Sequence, residues 1–294
     1  MPWLINAAQL EKFRKNQKNV VILDATWHMP GGEQCDAYQD FLHAHISGAR
    51  FFDIDEFCDP EGYHPKMLTR DEKLIGEKLG ALGITNEHKI IFYDNSKAHT
   101  SCRALWMMKV FGHNPNLLYV LDGGYESWEK FGGKIDTGEV RTTPRTYEVR
   151  YEAHFLRTLV QMKTNLHHPT EQVVDARHPV RYAGGPESRP GLRAGHIPRS
   201  FCFPFMTMFE ADGRWKPIEK IRKQLTGIGV DLNYPIVTTC GSGTTASIIN
   251  FALDLMNHTQ HAVYNGSWTE WGAEKLYPGE ASLAERPVET SIDK

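Results

Sequence analysis

With 294 residues the chain is long enough for two ordinary domains or one large one. Apolar residues at 40% and charged residues at 23% describe a globular protein with a substantial core, and 33 basic against 36 acidic side chains leave a formal charge of −3, so nothing favours nucleic acid or an anionic membrane as partner. No apolar run approaches the roughly 20 residues needed to span a bilayer, and Met1-Pro2-Trp3-Leu4-Ile5-Asn6 lacks the basic and apolar regions of a secretory signal.

Val20-Val21-Ile22-Leu23-Asp24 is a short apolar run closed by a carboxylate, the pattern of a strand buried on both faces. Lys89–Asp94 and Leu117–Leu121 repeat it, with a helical stretch over Leu105–Val110 between them. From Asp136 to Arg150 the chain turns polar and loses apolar periodicity, with Gly138 and Pro144 as breakers, so a linker is expected over 137–152. The pattern then begins again, with strands at Val173–Asp175, Ile236–Thr239 and Ala262–Tyr264. Ile249, Ala252, Leu253 and Met256 recur at helical spacing directly after Cys240.

The two halves also match in detail. Val20–Ala25 lines up with Gln172–Arg177, and His43–Ala49 with Arg193–Arg199. Phe92-Tyr93-Asp94 lines up with Thr238-Thr239-Cys240, and Gly123–Trp128 with Gly266–Trp271. Four matches in one order, at offsets that drift only by loop length, indicate a duplicated domain of roughly 140 residues. The expected class is α/β: two tandem doubly wound parallel-sheet domains at 1–136 and 153–294.

Cys35, Cys58, Cys102, Cys202 and Cys240 are odd in number and include no C-x-x-C, which argues against a disulfide framework and a structural zinc site. Reducing, intracellular surroundings fit best. The sequons Asn257-His258-Thr259 and Asn265-Gly266-Ser267 then carry no meaning. Cys240 differs from the other four because it ends an apolar strand run and opens the loop Cys240-Gly241-Ser242-Gly243-Thr244-Thr245 before a helix. Backbone amides and a helix dipole can hold a thiolate at such a turn. Gly241 and Gly243 let successive amides point inward as an anion-binding nest. A buried structural cysteine is the commonest fate of a free thiol, but the glycine-flanked helix start argues against it here.

In the first half Asp94 fills the slot of Cys240, and an acceptor-only carboxylate cannot be a sulfur nucleophile. The first domain is therefore expected to be non-catalytic. Asp24 and Asp175, like His45 and His196, recur in both halves; they and Arg177 are expected to bond backbone at loop corners. Trp128 and Trp271 are expected to anchor the two cores.

Duplicated α/β halves, Asp175-Ala176-Arg177 with Gly195-His196-Ile197-Pro198, and the Cys-led loop together resemble tandem rhodanese-domain sulfurtransferases over nearly the whole chain. The loop is similar to the C-G-S-G-V-T of the 3-mercaptopyruvate branch, with Thr244 in the valine place. The thiosulfate branch typically carries C-R-K-G-V-T, where Gly241 and Ser242 stand here. A monoanionic keto acid needs fewer loop cations than thiosulfate.

The resemblance implies that sulfur passes from 3-mercaptopyruvate to Cys240 as a persulfide, releasing pyruvate, and then to a thioredoxin-like or low-molecular-weight thiol, or to cyanide. It implies donor binding through the loop, with Gly241, Gly243, Thr244 and Thr245, and through two arginines. The motif places these on Arg181, in Val180-Arg181-Tyr182, and Arg189, in Glu187-Ser188-Arg189-Pro190-Gly191, one residue closer together than is usual. A guanidinium fork suits a carboxylate–carbonyl pair. The family's Ser-His-Asp set maps onto Ser242 and Asp55; the histidine position before Met67-Leu68 holds Lys66, with His64 two residues earlier. Ser242 either acts on the donor carbonyl and its enolate or caps the helix. Neither a metal nor an organic cofactor is implied, and a cytoplasmic or mitochondrial location is expected.

Three other readings compete. Cysteine phosphatases carry C-x₅-R, whereas Ala246 stands at the arginine position here. A thiosulfate sulfurtransferase is the nearer rival, and the departure at Lys66 suggests a non-catalytic sulfur carrier or interaction module.

Overall fold

The computed structural model describes residues 3–29, 36–59 and 67–290. The chain divides into two compact units. The first comprises Met1–Cys58, Thr69–Glu152 and Glu210–Trp215, and the second Asp59–Leu68, Ala153–Phe209 and Lys216–Lys294.

The strands of the first unit are β1 (Leu4–Ile5), β2 (Val20–Asp24), β3 (His45–Ile46), β4 (Arg50–Phe51), β5 (Lys89–Tyr93), β6 (Leu118–Leu121) and β7 (Ile135–Asp136). Five of them form a wholly parallel sheet in the order β1-β6-β5-β2-β4, with Val20–Asp24 paired in register on Lys89–Tyr93. The apolar runs read from the sequence are these central strands, buried on both faces as a parallel sheet requires. Helices α1 (Ala7–Asn16), α2 (Ala37–His43), α3 (Glu72–Ala81), α4 (Ser101–Val110) and α5 (Gly124–Lys130) connect them. Every residue of α4 is buried, Arg103 included, whose guanidinium lies 4.3 Å from the ring centre of Trp106.

The second unit repeats this plan. Its strands are β8 (Leu156–Arg157), β9 (Gln172–Asp175), β10 (Phe201–Cys202), β11 (Ile236–Thr239) and β12 (His261–Tyr264), and its helices α6 (Leu159–His167), α7 (Pro179–Tyr182), α8 (Ile218–Gly227), α9 (Ala246–Leu255) and α10 (Ser267–Trp271). Its parallel sheet runs β8-β12-β11-β9-β10, the order of the first sheet strand for strand.

The duplication extends to single hydrogen bonds. Asn6 caps α1 in a capping box with Gln9, and Thr158 caps α6 in the same way with Gln161, so each helix start satisfies its own exposed amides. Buried His45 donates from Nδ1 to the Phe41 carbonyl at 2.7 Å and stacks on that ring. His196 repeats the arrangement on Tyr182 at 2.8 Å. Asp175 accepts from the Arg177 amide and guanidinium, and that guanidinium lies over Trp268. These recurrent side chains hold loop corners. Trp128 and Trp271 are fully buried, each in the core of its own unit.

Residues 137–152, whose polarity suggests a linker, run along the first unit. Their amides bond it in sequence: Arg145 to the Gly80 carbonyl, Glu148 to the Asn86 side chain, Arg150 to the Phe111 carbonyl and Glu152 to the Val110 carbonyl. A segment held by its backbone in this way needs no apolar stripe of its own.

The chain beyond α10 is fastened by Arg286, which is wholly buried. Its Nη1 donates to the carbonyls of Glu270, Trp271 and Ala273, Nη2 to that of Lys275, and Nε to the Glu280 carboxylate. Replacing Arg286 by Met removes a donor from four carbonyls and one carboxylate, of which the Trp271 carbonyl keeps Arg193 and the Glu280 carboxylate keeps Lys163 and the Tyr277 amide. The expected loss is about 3 to 5 kcal/mol of stability in urea denaturation; a loss within experimental error would show the clasp to be dispensable.

Candidate active site

β11 is the central strand of the second sheet, and the Thr239 carbonyl still accepts from Ala176, the residue after β9, at 2.8 Å. One residue later the chain leaves the sheet. Six residues, Cys240 to Thr245, carry it into α9, most of which is buried. The carboxyl edge of a parallel sheet is where α/β proteins gather ligands, because the loops there are free of strand pairing.

Cys240 is 1% exposed, and its Sγ accepts the amide N–H of Gly243 at 3.1 Å. Gly243 has φ of +84°, a conformation in which a side chain would be strained and which turns its amide back onto the sulfur. Gly241 and Ser242 are half-buried and form the open side of the loop. Ser242 Oγ lies 3.4 Å from Thr244 Oγ1, and the capping position of α9 is held by Thr245 rather than by Ser242.

Helix α10 clamps the loop from beneath. The Trp268 amide donates to the Cys240 carbonyl at 2.9 Å, and the Thr269 amide to the Gly241 carbonyl at 2.9 Å. Thr269 Oγ1 also donates to the Gly241 carbonyl, at 2.6 Å. Ser267 Oγ accepts from the Cys240 amide at 3.2 Å and donates to the Tyr264 carbonyl at 2.9 Å. Ser267 is buried with φ of +48°, matching Gly124 at +54° in the first unit. A non-glycine residue in that region costs about 1 to 2 kcal/mol; the hydroxyl bridge offsets the cost and fixes the start of the loop.

The arginines stand beside this loop. Arg189 donates from Nε and Nη2 to the two Glu187 oxygens at 3.0 and 3.2 Å, and from Nη1 to the Gly241 carbonyl at 3.3 Å and Thr269 Oγ1 at 3.0 Å. Arg181 Nη2 reaches the same carboxylate at 2.8 Å. The Glu187 side chain is 4% exposed, against about a third for each arginine. Burial pushes the Glu187 carboxyl up, but hydrogen bonds and charge from Arg189 and Arg181 outweigh it and hold the group at about 2. Arg181 Nε is buried and has no hydrogen-bond partner among the described residues, so a donor at the site is left to be satisfied.

The first unit shows the same turn with different contents. The Tyr125 amide donates to the Asp94 carbonyl at 3.0 Å, as Trp268 does to Cys240. The Asp94 carboxylate itself accepts from the amides of Ser96 and of Ser101, the first residue of α4, at 3.1 and 2.9 Å. That loop is filled by its own anion.

The structure thus gathers Cys240, Gly241, Ser242, Gly243, Thr244, Thr245, Arg181 and Arg189 in one unit. Asp55 belongs to the first unit, where it opens a short 3₁₀ turn and accepts from Trp27 Nε1 at 3.2 Å. His64 and Lys66 lie outside the described residues. Burial, with Asp175 adding to it, pushes the thiol of half-buried Cys202 up to about 12. Among the described residues no group of three or more His, Cys, Asp or Glu could hold a metal ion, and no helix is long and apolar enough to cross a membrane.

Three residues at the site escaped the sequence reading. Glu187 is a lone acidic residue between the two arginines, Thr269 is a loop neighbour only through the fold, and Ser267 occupies the repeat position of Gly124. The pairing of Gly123-Gly124 with Gly266-Ser267 was the available signal for the last.

Glu187 makes stability depend on pH in a defined direction. A carboxyl lowered from 4.5 to about 2 contributes fully above 4.5, and the contribution disappears as pH falls through about 2. Glu187→Gln should therefore be less stable than the parent at pH 7, with the gap narrowing from pH 4.5 down to 2. Urea denaturation at stepped pH measures this, and a gap independent of pH would contradict the charge pairing.

Residues 6–131 and 158–274 each match the rhodanese-like domain model. The chain is 35% identical over 288 residues to the mitochondrial thiosulfate/3-mercaptopyruvate sulfurtransferase 1 of Arabidopsis thaliana, covering 90% of this chain and 75% of that one. It is 35% identical over 252 residues to the thiosulfate sulfurtransferase of Gallus gallus, covering 85% of each. The crystal structure of the 3-mercaptopyruvate sulfotransferase SseA from Escherichia coli superposes with a TM-score of 0.82 at 28% identity, over 91% of this chain and 99% of that one.

Proposed function

Because this chain belongs to the rhodanese family, as a tandem-domain sulfurtransferase of the thiosulfate/3-mercaptopyruvate kind, we propose that 3-mercaptopyruvate is its preferred donor and Cys240 its nucleophile. Cys240 sulfur attacks the donor sulfur, the S–S bond forms as the donor C–S bond breaks, and the electron pair leaves on carbon as the enolate of pyruvate. That enolate takes up a proton to give pyruvate. A thiol then attacks the outer sulfur, and its proton and the Cys240 electron pair are released together with the acceptor persulfide, completing a two-step cycle.

The observation that carries the choice of donor is the contact of Arg189 Nη1 with the Gly241 carbonyl. It sets cationic charge beside the residue after the nucleophile, while the loop positions 241 and 242 carry none. Mercaptopyruvate has its carboxylate two carbons from its sulfur, so a cation set off the loop can hold the carboxylate while the sulfur faces Cys240. Thiosulfate concentrates two charges around its sulfurs and calls for cations on the loop itself. The buried, unsatisfied Nε of Arg181 suits a second donor oxygen. Ser242, two residues from the thiol, polarises the donor carbonyl or protonates the enolate. The acceptor is a thioredoxin-like or low-molecular-weight thiol, and the setting is the cytoplasm or the mitochondrion.

Intact mass after exposure to mercaptopyruvate should show a gain of one sulfur, absent in Cys240→Ser. Arg181→Ala should lower kcat/KM for mercaptopyruvate by about 2 to 4 kcal/mol, the loss expected for a charge-assisted contact. A parent enzyme with higher kcat/KM for thiosulfate than for mercaptopyruvate would overturn the donor assignment while leaving the sulfurtransferase chemistry in place.

A further inference from the structure

Two guanidinium groups flank the donor site, yet they do not face it with two full charges. Glu187 stands between them, accepting two bonds from Arg189 and one from Arg181, with its side chain 4% exposed. Its backbone position also serves the pairing, since the Arg189 amide donates to Glu187 Oε1 at 3.2 Å and turns the chain so that both arginines converge on one carboxylate. The three side chains together carry one net positive charge. The fork is then tied to the nucleophile's loop through the Gly241 carbonyl and Thr269. Gly241 leaves room for this: a β-carbon at 241 would meet the Arg189 guanidinium at 3.5 Å, already at contact distance, so a longer side chain there would have to displace it or turn away.

We propose that Glu187 is a specificity-determining and positioning residue, which cancels one of the two guanidinium charges and so tunes the donor site towards singly charged over doubly charged anions. The inference rests on the reading that Arg181 and Arg189 bind the donor. Its physics is simple. A doubly charged anion gains about twice as much from an added site charge as a singly charged one, whereas a misplaced fork penalises both alike. Charge and geometry can therefore be separated by comparing two anions and two substitutions. The low titration point of Glu187 is consistent with its being an anion throughout the neutral range.

The test uses full-length Cys240→Ser protein, so that neither anion is turned over, with pyruvate and thiosulfate as probes in calorimetric titrations. Adding Glu187→Gln should shift the ratio of the two Kd values towards thiosulfate by about fivefold, the scale of one partly screened unit charge. Adding Glu187→Asp, which keeps the charge but shortens the reach to the arginines, should weaken both anions and leave the ratio unchanged. An unchanged ratio in the Gln variant, or an equal shift in the Asp variant, would overturn the assignment. Binding of neither anion by the Cys240→Ser parent would remove the arginines as donor ligands and the inference with them. If both anions bind as expected but the parent enzyme fails to take sulfur from mercaptopyruvate, only the proposed donor falls.

Discussion

In each unit one backbone hydrogen bond at the end of the central strand governs what the following loop can hold. The amide of Trp268 grips the Cys240 carbonyl, and that of Tyr125 grips the Asp94 carbonyl. With the carbonyl fixed, the side chain of the same residue is turned towards the loop amides and the start of a buried helix, α9 or α4. Such a pocket of amides favours an electron-rich atom. One unit supplies a carboxylate, which accepts two amides and closes the loop on itself. The other supplies a sulfur with a single amide and a glycine turn beside it. A shared backbone design therefore holds a carboxylate in one unit and a thiol beside a glycine turn in the other.

The Cys240 loop is held by elements far from it in sequence. Helix α10 supplies Ser267, Trp268 and Thr269 to three backbone groups of the loop: the Cys240 amide, the Cys240 carbonyl and the Gly241 carbonyl. The Gly241 carbonyl is also the point where Arg189 joins, so loop, helix and cationic fork meet on one oxygen. A buried charge is tolerated there because every part of it is paired. Glu187 without its arginines would be an isolated buried carboxylate, and the arginines without Glu187 would repel each other.

Much of this could be read from residues in order. The apolar runs at Val20–Asp24 and Ile236–Thr239 announced central parallel strands, and the four repeated segments announced two copies of one sheet. His45 and His196 were marked as structural by their recurrence in a half that lacks the thiol, and the fold gives each the carbonyl of a stacked aromatic residue, four positions back for His45 and 14 for His196. Residues 137–152 show the limit of composition as a guide. Their polarity suggested a linker, and the amides of Gly138, Arg145, Glu148, Arg150 and Glu152 fasten that linker along the first unit. Polarity reports which side chains can face water and is silent about where the main chain bonds.

By itself the sequence determined the class of fold and the duplication, and it singled out the Cys240 loop, because those follow from short-range periodicity and from segments met in order along the chain. Tertiary structure decided the rest of the site. Arg189 and Thr269 are 80 positions apart and Ser267 and Cys240 are 27 apart, and no local pattern links them. Glu187 could be seen in the sequence, but its charge acquired meaning only when burial removed water and brought two guanidinium groups onto the same carboxylate.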